Sequence, residues 1–488
     1  MEKKKTTNVK IVTMCIFIAT FMTAIEGTII STALPRIVGS LEGIEIMNWV
    51  VSIYLLTNAM MTPIYGKLID KIGRKPVFLV GILIFIVGSA LSGMSQSMIQ
   101  LIIFRAIQGA GAGAIVPVSL TIIADLYPVE KRANILGLNS AAWGIASIVG
   151  PLAGGFIVDT FSWHWIFLIN VPIGIVLMGL FWVYMVEEDF EVNKEKIDFV
   201  GSFFMLIMLI SLLLGVQTLS KGFSLFTLIS LAIFVVTLFM FIRVEKRVTD
   251  PIISLDLFKN KTYVAVNIMA ALIAGYLMAV EVYIPTWMQT VVGKSAMLGG
   301  IVLAPMSVIW MVGSFISGKS MKKYNSRQII LMGLIPLIAA GIGLIFVTPE
   351  TPYAVFLGYS LVFGIGFGIS MTILTVLAQS TVDSNQVGVA TSFFTLSRTL
   401  GQTVMISIFG LVVNSTMHSA IANKKDLGIT EQMMNDVINP EKIGSIPEHL
   451  IGEMRIILSD GIHNVFLVGL SLVIVTLIIN QFKKRVTF

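Results

Sequence analysis

Charge is the scarcest commodity in this chain. Of 488 residues, 33 are Lys or Arg and 27 are Asp or Glu, together 12%. An ordinary soluble domain carries about 25%, and so few charges cannot cover the surface of a soluble protein of this length. The same scarcity, beside 56% hydrophobic residues and a mean hydropathy of +0.92, excludes a disordered chain and a coiled coil. Only one cysteine is present, Cys15, so no internal disulfide can form and a disulfide scaffold is excluded. The four histidines, His164, His418, His449 and His463, show no metal-ligand spacing. No G-x-x-x-x-G-K-[ST] phosphate loop occurs, so ATP is not an evident energy source. Gly109-x-Gly111-x-Gly113 lies inside an apolar run without the strand a dinucleotide site requires. No soluble-enzyme constellation remains, and the chain is expected not to be an enzyme.

What is abundant is apolar runs long enough to cross a bilayer, which takes about 20 residues per helix. Fourteen are read, near 10–35, 46–69, 76–96, 98–123, 133–157, 163–186, 199–219, 223–242, 263–289, 297–317, 327–347, 353–379, 388–414 and 459–481. The first run is longer than a signal-peptide core, contains Glu26 and lacks a small-x-small cleavage site, so it is taken as the first membrane helix. Basic residues give the orientation. Arg36, Lys221, Lys294, Lys424, Lys425, Lys442 and Arg455 fall on one side, and Arg105 and Arg398 fall within runs. The other Lys and Arg residues lie on the side of both termini, which the positive-inside rule makes cytoplasmic. The net charge of +6 therefore reports topology, not a nucleic-acid-binding face. One polar stretch, 415–458, contains Pro440 and Pro447 and is expected as a mobile external loop. Its part from Pro447 to Leu458 could alternatively form an amphipathic surface helix.

The chain also resembles itself. At an offset of 252, Gly66, Lys67, Lys71, Leu79 and Gly81 match Gly318, Lys319, Lys323, Leu331 and Gly333. At 255, the ladder Gly109, Gly111, Gly113 maps to Gly364, Gly366, Gly368, and Ala19, Ala24, Glu26 and Ile29 map to Ala274, Ala279, Glu281 and Ile284. Two six-helix halves with two helices inserted between them follow. Residues 1–190 are the first bundle, 191–247 the insertion, and 248–488 the second bundle with the external loop. Halves related about the membrane normal place a transport site between them at midplane.

The charges inside the runs are the candidates for mechanism, because an intramembrane ionisable group is costly. Glu26, past the middle of the first run, and Glu281, at similar depth in the ninth, are expected to face one central cavity from opposite halves. Either could take and release protons or pair with a cationic substrate; a neutral glutamic acid bonded to a neighbouring helix is the structural alternative. Arg105 and Arg398 are the buried positive candidates, snorkelling to an interface being the alternative. Asp70, Arg74 and Asp125 could form a cytoplasmic charge cluster that makes and breaks between states. Gly150, Pro151, Gly154 and Gly155 would let the fifth helix approach a neighbour closely, sealing or pivoting against the opposite half, or simply packing. A subset of the 27 methionines and 30 phenylalanines lining a cavity would suit varied apolar substrates.

These residues carry a resemblance to the fourteen-helix drug:proton antiporters of the major facilitator superfamily, over nearly the whole length. Gly66-Lys-Leu-Ile-Asp70-Lys-Ile-Gly73-Arg74-Lys75 is similar to the superfamily's loop 2–3 signature. Arg105-Ala-Ile-Gln108-Gly109 resembles its helix 4 motif, whose arginine is linked to proton transfer. Gly144 with Gly150-Pro151-Leu-Ala-Gly154-Gly155 resembles the helix 5 antiporter motif. Glu26-Gly-Thr28-Ile-Ile-Ser-Thr-Ala-Leu34-Pro35 resembles the helix 1 signature of the fourteen-helix group, in which many members carry Asp where Glu26 stands. Trp163-His-Trp165-Ile-Phe-Leu-Ile-Asn170-Val-Pro172-Ile-Gly174 also fits that group. The resemblance implies that Asp70 steadies the outward-facing state and that Arg74 and Asp125 form a relay. The second-half copy has Lys322 in place of Asp70, so the gate should be asymmetric.

The resemblance implies an all-α integral membrane protein with the major facilitator fold. The expected function is proton-coupled efflux of hydrophobic, often cationic drugs by alternating access, with Glu26, Arg105 and Glu281 in proton coupling and Glu26 and Glu281 in substrate binding. The alternative is a proton-coupled exporter or flippase of an endogenous lipid or metabolite. No metal or cofactor is expected beyond the proton as coupling ion. The partners are small drugs and the lipid bilayer, not nucleic acid, with a monomer as the working unit in a bacterial plasma membrane and both termini cytoplasmic.

Overall fold

A computed structural model gives the protein over residues 7–127, 129–187, 198–218, 224–248, 255–382, 387–424, 428–438 and 446–482. Some side chains inside the helices, those of Lys67, Asp70, Lys71 and much of the first half of α5 among them, lie outside this description. The described residues are helical and contain no strand. The first half comprises α1 (Val9–Leu41), α2 (Met47–Ile72), α3 (Arg74–Gly93), α4 (Met98–Leu126), α5 (Val129–Thr160), α6 (Trp165–Leu168) and α7 (Asn170–Tyr184). The inserted hairpin is α8 (Phe199–Thr218) and α9 (Leu225–Glu245). The second half comprises α10 (Lys261–Thr290), α11 (Ala296–Ile301), α12 (Ala304–Ser320), α13 (Ser326–Ile345), α14 (Tyr353–Ser380), α15 (Val387–Asn423), α16 (Glu431–Ile438) and α17 (Glu448–Phe482).

With α6–α7 and α11–α12 each counted as one interrupted crossing and the short α16 set aside, fourteen crossings result. Twelve are long and apolar enough to span a bilayer by length and composition. The thirteenth is α8, with a shorter apolar stretch, Val200–Val216. The fourteenth is α5, which is 32 residues long but more polar.

Helix starts are set locally. Asn8, Ser97, Ser224, Asn260, Ser295 and Asn325 each accept a backbone N–H of the first turn, and Asn325 with Gln328 completes a capping box. Within the helices many Ser and Thr hydroxyls return to backbone carbonyls three or four residues earlier, as with Thr23, Thr286 and Thr403. That satisfies them where no water is at hand.

The internal repeat is visible in the packing. A Cβ on Gly109 or Gly113 would strike the backbone of α2, and one on Gly111 the backbone of α3. In the second half, Gly364 and Gly368 abut the backbone of α12, and Gly366 that of α13. The two ladders wedge α4 and α14 between equivalent neighbours in the same order. Gly81 meets the carbonyl of Gly111, and its counterpart Gly333 that of Gly366. The inserted hairpin sits on one edge of the junction between halves. Met205, Leu209 and Leu213 of α8 pack with Ile53, Leu56 and Met60 of α2 and with Leu396 of α15.

The stretch 415–458 differs from the mobile loop expected. α15 continues to Asn423, α16 follows, and α17 begins at Glu448, so Glu448–Leu458 is the first part of a 35-residue helix and not a separate surface helix. Residues 425–427 and 439–445, Pro440 included, lie outside the described residues. The physical reason is that Met434, Val437, Leu450, Met454 and Ile457 are buried in the large core cluster. A protein cap, not lipid, receives these apolar side chains, so the helices continue past the apolar runs.

The halves touch most firmly at the end opposite the termini. There Asp159 of α5 accepts the backbone N–H groups of Ala296 and Met297 at 3.3 and 2.9 Å. Tyr283 donates to Asn48 at 2.9 Å, Ser52 meets Ser407 at 3.2 Å, and Asn414 donates to the carbonyl of Glu45 at 2.7 Å. Among the described residues the hydrogen bonds between halves all lie from mid-depth toward this end. The structure is therefore closed on the face away from the termini.

Candidate functional site

Glu26 on α1 is fully buried, and it does not face the space between the halves. Its Oε1 accepts from Nη1 of Arg105 on α4 at 2.5 Å, and its Oε2 accepts from Nδ2 of Asn170 on α7 at 2.8 Å. Arg105 is fully buried as well. Its Nη1 also donates to Gln108 Oε1 at 2.8 Å, its Nε donates to the Val50 carbonyl of α2 at 3.1 Å, and its guanidinium lies 4.1 Å from the centre of the Tyr54 ring. Gln108 and Asn170 both donate to Ser89 of α3, at 3.0 and 3.1 Å, and Ser89 donates to the carbonyl of Phe167. Helices α1, α2, α3, α4 and α7 thus contribute to one dry polar knot. A charge there persists only because it is paired and bonded, and removing one partner strands the other.

The space between the halves is lined by Thr28 and Ser31 of α1, Pro151 of α5, Glu281 of α10, and Met306 and Ser307 of α12. Glu281 is half-buried there, within electrostatic reach of Arg398 on α15. The expectation that both glutamates face one cavity is corrected: Glu281 does and Glu26 does not. A sequence offset fixes depth along a helix but not which way a side chain turns. Arg105 maps at 255 onto Ser360 and Gln108 onto Phe363, so α14 has no guanidinium at the position equivalent to Arg105. Thr28, two residues beyond Glu26, stands about 200° round α1. The same helix therefore carries the buried carboxylate and contributes Thr28, Ile30 and Ser31 to the cavity lining.

At the terminus-side ends, Arg74 Nε donates to Asp125 Oδ2 at 2.8 Å, so this expected pair forms. Both partners are partly exposed, and such a pair contributes about 0–1 kcal/mol. Gly73 joins α2 to α3 at φ +92°, in the left-handed region that favours glycine. Gly66 has open space where a Cβ would stand. Asp70 lies in α2, but its side chain is outside the described residues, as are the surroundings of Gly144. Sequence reading missed Glu187, whose two carboxylate oxygens accept the N–H groups of Arg74 and Lys75 at 2.8 and 2.7 Å. It caps α3 where the helix dipole is positive. No local pattern marks it, because it lies more than 110 residues downstream of the helix it caps.

The glycines of α5 divide their work. A Cβ on Gly150 or Gly154 would meet Thr28, Ile29 or Thr32 of α1, within the same half. One on Gly155 would meet the backbone of Met297, and Gly300 abuts the carbonyl of Pro151, so α5 and α11 touch backbone to backbone across the halves. The expected close contact to the opposite half is present at Gly155, together with simple packing at the other two. Asn170, Gln108, Ser89 and Tyr54 were not singled out from sequence, although Gln108 and Asn170 stand inside the quoted signatures.

The family model of the Major Facilitator Superfamily matches residues 16–406. Among curated proteins, the chain is 33% identical to multidrug resistance protein 3 of Bacillus subtilis (strain 168), over 96% of this chain and 93% of that protein. It is 31% identical to the multidrug transporter protein MdtP of the same organism, over 96% and 92%. Among solved structures it resembles a bacterial homologue of the human lysosomal transporter Spinster, inward-facing and unoccupied. That match has a TM-score of 0.73 at 15% identity, over 97% of this chain and 96% of that one, a likeness of fold.

Proposed function

The chain belongs to the Major Facilitator Superfamily, a transporter and not an enzyme, and from that premise we propose that it is a proton-coupled antiporter exporting hydrophobic, often cationic drugs. The observation that carries this reading is the placement of α1. It holds a fully buried carboxylate, ion-paired to Arg105, and also lines the cavity between the halves with Thr28 and Ser31. With Glu26 ionised, the pair with Arg105 ties α1 to α4. A proton on Glu26 cancels that attraction and leaves Arg105 with its charge unbalanced in a dry interior, a change of several kcal/mol. Such a change favours a different seating of α1, and the cavity face moves with it. A proton arriving from outside would release the drug outward, and its loss to the cytoplasm would restore the drug-binding state. Glu281 supplies the anionic contact for a cationic drug.

The relatives' names, multidrug resistance protein and multidrug transporter, support the substrate class. The excess of Lys and Arg on the side of the termini supports a cell-membrane protein with both termini in the cytoplasm, and the closed face is then external. Both walls of the cavity come from one chain, which supports a monomer as the working unit. The test is drug transport in everted vesicles under an imposed pH gradient. Glu26→Gln keeps a neutral acceptor for Arg105 and is expected to fold with a lowered melting temperature while losing gradient-driven transport. Intact coupling in Glu26→Gln would overturn the reading. A substrate panel that moves only lipids or metabolites would overturn the drug assignment.

A further inference from the structure

At the closed outer end, three side chains from distant parts of the chain converge. His418 of α15 places Nε2 3.4 Å from Glu45 Oε1 and Nδ1 3.1 Å from Glu431 Oε1. One ligand atom from each of the three lies within 4.8 Å of the others. Glu45 belongs to the first half, in the turn between α1 and α2, whereas His418 and Glu431 belong to the second. We propose that Glu45, His418 and Glu431 form a binding site for a divalent first-row transition-metal ion that locks the outer end closed.

Two carboxylates facing one imidazole favour positive charge between them. An imidazolium supplies it by donating from both nitrogens; a metal ion supplies it by taking the imidazole lone pair and both anions. Imidazole with carboxylates suits zinc and its neighbours. Metal–ligand distances of about 2.0–2.2 Å in a tetrahedron put neighbouring ligands about 3.3–3.5 Å apart. An ion takes only one ring nitrogen, and the carboxylate facing that nitrogen, at 3.1 or 3.4 Å, already stands at such a spacing, while the carboxylate on the other nitrogen must swing round to join it. The ligands are also positioned independently of one another. Asn414 donates to the Glu45 carbonyl, Glu42 and Gln432 are bonded at 2.8 Å beside the site, and Glu431 opens α16. Partial exposure, 33% for His418, 19% for Glu45 and 52% for Glu431, leaves room for water to complete the shell and for the ion to enter. Because the ligands come from both halves, the site exists only while the outer end is closed. An ion that binds one state alone shifts the population toward it. The titratable groups facing His418 are Glu45 and Glu431, with Glu42 at the end of α1 next to them.

Zinc binding to the purified full-length protein in lipid nanodiscs, titrated against a chromophoric chelator at pH 7.5, tests this without reference to drug export. The expected result is one zinc per chain, a raised melting temperature with zinc, and at least a tenfold weaker affinity in both His418→Ala and Glu431→Gln. Both side chains are partly exposed, so the variants are expected to fold, and their melting curves without zinc report it. No stoichiometric zinc, or zinc binding unchanged in both variants, would overturn the proposal. So would a stability that follows pH through His418 but ignores zinc, the mark of a clamp made by the proton alone.

Discussion

Glu281 differs from Glu26 in what surrounds it. Among the described residues it makes neither a hydrogen bond nor a direct ion pair; it borders the cavity and feels Arg398 only at longer range. A carboxylate so placed can give its charge to a ligand, whereas Glu26 has already given its own to Arg105 and Asn170. Glu281→Gln is therefore expected to weaken transport of cationic drugs, dications most, by tenfold or more while sparing neutral ones. Transport of a matched panel in proteoliposomes checks this, and equal losses for neutral and charged compounds would place Glu281 in proton coupling instead. The contrast also shows what was legible at this scale. Charged residues inside apolar runs are so costly that Glu26, Glu281, Arg105 and Arg398 stand out in the sequence. Ser89, Gln108 and Asn170 do not, because neutral polar residues are common in membrane helices and only the packed neighbour reveals the bond.

Among the elements, α5 and α11 carry the seal on the face away from the termini. Gly155 faces the Met297 backbone with no flexible side chain between them, so an added methyl can be accommodated only if the helices part. Gly155→Ala should then shift the protein toward an outward-open state. A cysteine at Ser31, which lines the cavity, should react several-fold faster with an impermeant maleimide from outside in that background. The native Cys15 is buried and adds no signal. Gly66→Ala, with nothing within 4 Å of the new atom, is the control and should leave the rate unchanged. Equal rates in Gly155→Ala and the parent would show that α5 does not hold the seal. Helix positions were legible from apolar runs, but helix ends were not where protein replaced lipid. α15 and α17 run on because Met434, Met454 and Ile457 have a protein core to enter, and α16 is too short and too polar on average to read as a membrane helix.

For the whole molecule, the repeat read as fixed offsets is the same repeat that wedges α4 and α14 between their neighbours, glycine for glycine. Offsets predicted the architecture because helix spacing depends on small residues at set intervals, and these survive as sequence matches. They failed for Glu26 and Glu281 because the site is where the two halves have diverged. The orientation of the whole bundle rests on the basic residues, and the proposed exchange of outside protons for cytoplasmic drug presupposes that the closed face with Glu45, His418 and Glu431 is external. Lys294, between α10 and α11, and Lys322, between α12 and α13, are both exposed at opposite ends of the second half. In intact cells an impermeant maleimide should label Lys294→Cys and leave Lys322→Cys unlabelled until the membrane is opened; everted vesicles should give the reverse. Labelling of Lys322→Cys in intact cells would invert the topology. The antiport direction proposed from Glu26 would then fall with it, while the buried Glu26–Arg105 pair would stand as a purely structural fact.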